Sequence, residues 1–343
     1  MEFRTLGTSG TVVSTYCLGT MTFGAETDQD GAFAQLDAYV EAGGNVVDTA
    51  DVYTAGAAET IVGRWLAARP ADVTDGIVIA TKGRFAMGEG PNDVGLSRRH
   101  LDRALEASLR RLGVETIDLL QVHAWDPVTP LEETLGWFAD VVAGGKVRYA
   151  GLSNFTGWQI QQAVDLADHR GFPRPVTLQP QYNLLAREIE WEIVPACLEN
   201  GLGLLPWSPL GGGWLTGKYR RDEQPSGHTR LGEDPERGVE AYGRRSTRMR
   251  TWAVLEVLDV IAQDRGVSMA EVALAWLHDR PGVSSVILGA RTTEQLDSNL
   301  RAAGLHLRLD ETSALDEASD PEPADYPYGD LGREQRSRSV RGG

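Results

Sequence analysis

The run Ile117-Asp118-Leu119-Leu120-Gln121-Val122-His123 is nearly all apolar and too short for a helix. Such a run suits a strand buried on both faces, as in a parallel sheet covered by helices. Upstream, Leu101, Leu105, Leu109 and Leu112 recur at the spacing of one helical face, and downstream Tyr149 to Ser153 forms another short apolar run. The alternation continues both ways. Further runs lie at Ser14 to Leu18, Asn45 to Asp48, Ile77 to Thr81, Val176 to Gln179, Gly203 to Trp207 and Ser285 to Leu288, and Ile160, Ala163, Val164 and Ala167 mark another helical face. Eight strand-helix units with no linker between them predict an α/β fold, a single (β/α)8 TIM barrel over residues 1–318. Gly7 and Gly10 bracket Thr8-Ser9 in a predicted N-terminal β-hairpin placed to plug the base of the barrel. A long loop follows strand 7, from Trp207 to Ser246, and residues 319–343, with Pro321, Pro323 and Pro327, are expected to be an extended or mobile tail.

The 343 residues are 41% hydrophobic and 24% charged, enough for a sizeable core. Lys plus Arg number 33 against 49 for Asp plus Glu, a net charge of -16 that repels a phosphate backbone or an anionic bilayer. Neither nucleic acid nor membrane is an expected partner. Only Cys17 and Cys197 are present, far apart and without metal-ligand spacing, so no disulfide framework and no metal site are expected and a reducing cytoplasm fits. The first residues lack the basic and apolar stretches of a signal peptide, and no apolar run is long enough to cross a bilayer.

In a barrel, reactive groups belong at the C-terminal ends of the strands, where the βα loops build the open face. The predicted second strand ends at Asp48, with Tyr53 five residues on; the third runs into Lys82 and the fourth into His123. Singly, each has an ordinary reading as a turn, packing or solvated residue. Jointly they suit carbonyl reduction. A carboxylate would steady the Lys82 ammonium, and the ammonium would favour the Tyr53 phenolate, lowering a pKa that starts near ~10. A neutral His123 would orient a carbonyl oxygen.

From Phe3-Arg4-Thr5-Leu6-Gly7 to about Asn299 the chain resembles the aldo-keto reductase superfamily, most of all its bacterial aryl-alcohol dehydrogenase-like and potassium-channel β-subunit-like group. Asp48-Thr49-Ala50-Asp51-Val52-Tyr53 resembles the family's Asp-Thr-Ala-x-x-Tyr motif, Ala80-Thr81-Lys82 its lysine strand, and Asp118 to His123 its histidine strand. The family usually has Gly after the tyrosine; here it is Thr54. The resemblance implies a (β/α)8 barrel, an Asp48-Tyr53-Lys82-His123 tetrad with Tyr53 as general acid, and a nicotinamide dinucleotide laid across the barrel mouth. No Gly-x-Gly-x-x-Gly fingerprint of a Rossmann domain is present. By the same resemblance Ser153, Asn154 and Gln179 grip the carboxamide, Trp207 stacks on the nicotinamide, Ser208, Leu210 and Lys218 meet the pyrophosphate, and Gly289, Arg291, Gln295 and Asn299 form the adenosine-phosphate end. An Arg at a helix N-terminus suits a 2′-phosphate, so NADPH is expected over NADH.

Gly212 to Lys218 spells Gly-x-x-x-x-Gly-Lys, but Tyr219 stands where a P-loop needs Ser or Thr to ligate magnesium. Met21, Phe23, Phe85, Trp125 and Trp214 are expected to line an apolar, partly aromatic pocket for aromatic or medium-sized aldehydes and ketones. Arg84 has two readings: it meets a carboxylate or phosphate on the substrate, or, the more ordinary case, it faces solvent. The alternative to an enzyme is an NADP(H)-binding regulatory module that keeps slow reductase activity.

Overall fold

A computed structural model describes residues 1–337. Strands β1 (Phe3–Thr5) and β2 (Val12–Ser14) form an antiparallel hairpin. Eight further strands make one sheet: β3 (Tyr16–Gly19), β4 (Val46–Asp48), β5 (Val78–Gly83), β6 (Ile117–Val122), β7 (Val147–Ser153), β8 (Thr177–Gln179), β9 (Gly203–Leu204) and β10 (Val286–Leu288). All neighbours are parallel, in the order β10-β3-β4-β5-β6-β7-β8-β9, so the last strand returns beside the first and the sheet curls. The outer strands also meet. Leu204 bridges Val283, and Ile287 N donates to Pro206 O at 3.0 Å.

Side chains alternate along each strand, and two apolar clusters divide by that parity. Leu18, Val47, Leu120 and Val286 face the helices, among them Arg98–Leu112 and Gly157–Arg170, whose predicted apolar faces are the buried ones. Cys17, Val46, Ala80, Leu119 and Ile287 pack in the concave interior. The hairpin completes that interior from below through Leu6 and Val13. Gly7 makes the fit possible: its φ is +58°, and a Cβ there would stand 2.2 Å from Val176 O.

Local departures from expectation have physical causes. Ser14 ends the hairpin rather than opening β3, because its backbone pairs with Phe3. The stretch from Trp207 to Ser246 is folded, with 3₁₀ turns at Gly211–Thr216 and Gly238–Glu240 and short helices at Arg230–Glu233 and Tyr242–Ser246. Trp214 organises it, stacked on Tyr242 at 5.4 Å and edge-on to Tyr219. In the tail, Asp330–Arg336 is helical and Tyr328 stacks on Trp191 at 5.5 Å, so an aromatic anchor overrides the extended preference of the preceding prolines. Residues 338–343 of that expectation lie outside the described residues.

Candidate active site

The parity that points Val46, Ala80 and Leu119 into the interior carries Asp48, Lys82 and His123 there as well, at the C-terminal ends of β4, β5 and beyond β6. Lys82 is fully buried, and its Nζ donates to Asp48 Oδ2 at 2.7 Å, Thr49 O at 2.7 Å and Tyr53 OH at 3.3 Å. Gln179 Nε2 donates to the other Asp48 oxygen at 2.9 Å. The His123 ring stands edge-on to Tyr53, with centroids 5.9 Å apart. Three neighbouring strands and one loop thus bring a carboxylate, an ammonium, a phenol and an imidazole together. After Tyr53 the backbone is left-handed at Thr54 (φ +48°) and Ala55 (φ +52°), where the related family has glycine first. Each such residue costs about 1–2 kcal/mol, and the Thr54 hydroxyl, donating to Phe23 O at 3.0 Å, helps hold the turn.

Burial opposes the Lys82 ammonium, but Asp48 and Tyr53 outweigh it and hold its pKa above the ordinary value. Tyr53 departs from expectation. Lys82 does pull its pKa down, but burial, aided by Asp48 and Asp51, is stronger and leaves it above 10. The phenol is therefore protonated at neutral pH, the state a proton donor needs. Burial, with the positive charges of Lys82 and Arg84, pushes His123 down to about 2, so its ring is neutral.

The expected cofactor contacts fall into two groups. Near the tetrad, Ser153 Oγ donates to Gln179 O at 2.9 Å, Asn154 Nδ2 donates to His123 O at 2.9 Å, and Trp207 Nε1 donates to Asn154 Oδ1 at 3.2 Å. Asn154 and Ser208 both adopt φ +55°, strained for residues other than glycine. Farther out, Arg291 precedes the helix Thr293–Leu300; its N–H donates to Gln295 Oε1 at 2.9 Å, and Asn299 Nδ2 reaches Gly289 O at 3.5 Å. The Arg291 guanidinium is gripped by both oxygens of Glu233 at 2.8 and 3.0 Å, with Glu26 at 3.6 Å. Leu210 is partly buried against the core, and desolvation with the like charges of Arg291 and Arg230 holds the Lys218 ammonium below its usual range.

Of the five pocket candidates, Met21 is exposed while Phe85 and Trp125 are partly buried; the Phe85 ring lies 4.6 Å from that of His123. Phe23 and Trp214 are corrections. Both are fully buried in the core: the Phe23 carbonyl accepts from Thr54 Oγ1, and Trp214 spends its indole N–H on Glu240 O. Their loop positions in the sequence hid this burial. Arg84 is partly exposed and donates to Trp125 O at 3.3 Å.

Sequence reasoning passed over Asp51 and Arg230. Asp51 lies inside the Asp48-to-Tyr53 motif and is wholly buried, with no partner for either carboxylate oxygen. Arg230 Nε is buried without a partner, and its charge acts on Lys218 and meets that of Arg291. The density of Arg from Arg220 to Arg248 was the available signal for the second. Among the described residues no group of three His, Cys, Asp or Glu could hold a metal, and no helix is long and apolar enough to cross a membrane.

Residues 16–320 match the model of the Aldo/keto reductase family. The chain is similar to the uncharacterized oxidoreductase YrpG of Bacillus subtilis, 37% identical over 90% of this chain and 92% of the relative. It is similar to a probable voltage-gated potassium channel subunit beta of Arabidopsis thaliana, at 39% over 88% and 91%. Versiconal hemiacetal acetate reductase of Aspergillus parasiticus is 32% identical over 92% of this chain and 96% of the relative.

Proposed function

This chain belongs to the aldo/keto reductase family, and from that premise we propose that it is an NADPH-dependent carbonyl reductase working in the cytoplasm on small aldehydes or ketones. The reading takes the curled sheet as a closed (β/α)8 barrel, residues 1–318 as one catalytic domain and 319–343 as an appended tail. The observation that carries it is Lys82 Nζ bridging Asp48 and Tyr53 with the His123 ring alongside.

The residues present fit a dinucleotide. Lys218, Arg230 and Arg291 repel one another, and Arg230 has a buried Nε without a partner, an arrangement that favours a bound polyanion. Ser153, Asn154 and Gln179 would hold the carboxamide, Trp207 would pack against the nicotinamide, and Arg291 with Gln295 and Asn299 would meet the 2′-phosphate end. When bound, the reduced nicotinamide supplies a hydride to the carbonyl carbon. His123, neutral, donates a hydrogen bond that orients the carbonyl oxygen. Tyr53 gives its proton to that oxygen as negative charge develops there, and the Lys82 ammonium, held by Asp48, stabilises the phenolate left behind. The phenolate is then reprotonated from solvent, which balances one carbonyl, one hydride and one proton against one alcohol.

Tyr53→Phe keeps the ring and removes the proton. It should lower NADPH oxidation with an aldehyde panel by about 10²–10⁴-fold while leaving NADPH affinity within a factor of two or so. Full activity in that variant would refute the assignment. A second reading, an NADP(H)-binding regulatory module with slow residual reduction, is favoured by the potassium-channel subunit among the relatives. Rapid multiple turnover with excess aldehyde rules it out; a single turnover followed by slow release of oxidised cofactor supports it.

A further inference from the structure

We propose that Arg84 forms an anion subsite beside the tetrad and selects carbonyl substrates that carry a carboxylate. The inference rests on the carbonyl-reductase reading and deepens it.

The Arg84 guanidinium carbon lies 5.1 Å from the Phe85 ring centroid, and the same ring meets His123 edge-on at 4.6 Å. The cation and the imidazole share this aromatic neighbour, and the Arg84 charge acts on His123. Its amino group donates to Trp125 O at 3.3 Å, and Nε has no partner. Among the described residues Arg84 makes no ion pair, unlike Arg111 with Glu59, Arg245 with Glu240 and Arg291 with Glu233. Asp126, the acid whose charge Arg84 reaches, is already engaged: one oxygen accepts from Leu96 N and Thr129 Oγ1, the other from Val128 N.

A partly buried guanidinium with unspent donors is costly unless an acceptor arrives. Solvent alone would serve a surface arginine, but this one is flanked by the face of Phe85 and the carbonyl of Trp125. The Trp125 ring continues the wall outward, edge-on to Phe155 and to Trp158, each at 5.3 Å, and Trp158 is 59% exposed. Aromatic surface leading to a positive charge with no ion-pair partner suits a flat body ending in an anion. The charge count favours carboxylate over phosphate, because the neighbouring cation, Lys82, is already neutralised by Asp48. On a protein of net charge -16 a local cation offsets the repulsion that such a substrate meets.

The test compares para-carboxybenzaldehyde with its methyl ester in NADPH oxidation, for the parent and Arg84→Gln. The parent is expected to prefer the acid, and the variant to lower kcat/KM for the acid about tenfold more than for the ester. Equal losses on both would mean that Arg84 only shapes the loop, and would overturn the proposal. Calorimetric titration with benzoate, benzamide and phenyl phosphate supplies a readout without turnover. Arg84-dependent binding of benzoate over benzamide supports the subsite even if no aldehyde is reduced, in which case the reductase reading alone fails. Binding of benzoate that Arg84→Gln leaves intact, or tighter Arg84-dependent binding of phenyl phosphate, overturns the carboxylate assignment.

Discussion

Replacing Asp51 by Asn should stabilise the protein, and by an amount that depends on pH. Asp51 is wholly buried and neither oxygen has a hydrogen-bond partner. Burial, reinforced by the negative charge of Glu59, raises its pKa from 3.8 to about 7, while the charges of Arg111 and Lys82 pull the other way. Glu59 cannot relieve it, because its carboxylate is taken by Thr81 Oγ1 at 2.6 Å and Arg111 Nε at 2.6 Å. Between pH 3.8 and about 7 the folded state keeps a proton that the unfolded chain has released. The folded state then binds more protons, so stability falls as pH rises through that window. A shift of about three pH units corresponds to a ceiling of about 4 kcal/mol at neutral pH. Asparagine has the same shape and nothing to ionise, so the variant escapes the penalty. At about 2.1 cal/mol/K of unfolding entropy per residue, the gain is about 5 °C in Tm. Melting curves of parent and variant, followed by circular dichroism from pH 4.5 to 8.5, should diverge with rising pH. A difference that stays flat across the series, or a variant that melts below the parent at pH 8, would refute the reasoning.

Two other substitutions probe the charges around the site. Lys82→Met leaves the Asp48 carboxylate buried without its cation and should cost about 3–5 kcal/mol in urea denaturation; adding Asp48→Asn removes the stranded charge and should recover a large part, and a double variant no more stable than the single would contradict the pairing. Glu233→Gln frees Arg291 from a partly exposed ion pair that a phosphate would otherwise have to displace. NADPH should bind about 2–5-fold tighter, by fluorescence titration, with less change for NADH; identical shifts for both cofactors would place Arg291 away from the 2′-phosphate.

Much of the architecture was legible because burial patterns are local. The Leu101-Leu105-Leu109-Leu112 face and the β6 run name their own environments, and both are buried as the spacing requires. Elements whose partners lie far away in the chain were read less well. Ser14 looks like part of the first sheet strand until Phe3 pairs with it. Trp214 looks like a pocket residue on an open loop until Tyr219, Tyr242 and Trp252 enclose it. Tyr53 shows the same limit in energetic form: the sequence reveals the ammonium that lowers its pKa, whereas the burial that raises it further is a property of the folded cleft.

The sequence by itself determined the strand-helix alternation, the two-residue parity within each strand and hence the set of side chains able to meet at one end of the sheet, since these follow from spacing along the backbone. Tertiary structure alone decided which charges are compensated. Lys82 and Arg84 are two residues apart and equally cationic on paper, yet one is enclosed by Asp48 and Thr49 O while the other keeps its donors beside Phe85 and Trp125. Compensation depends on distances of a few ångströms between residues tens of positions apart, and only the packing of the strands and loops sets those distances.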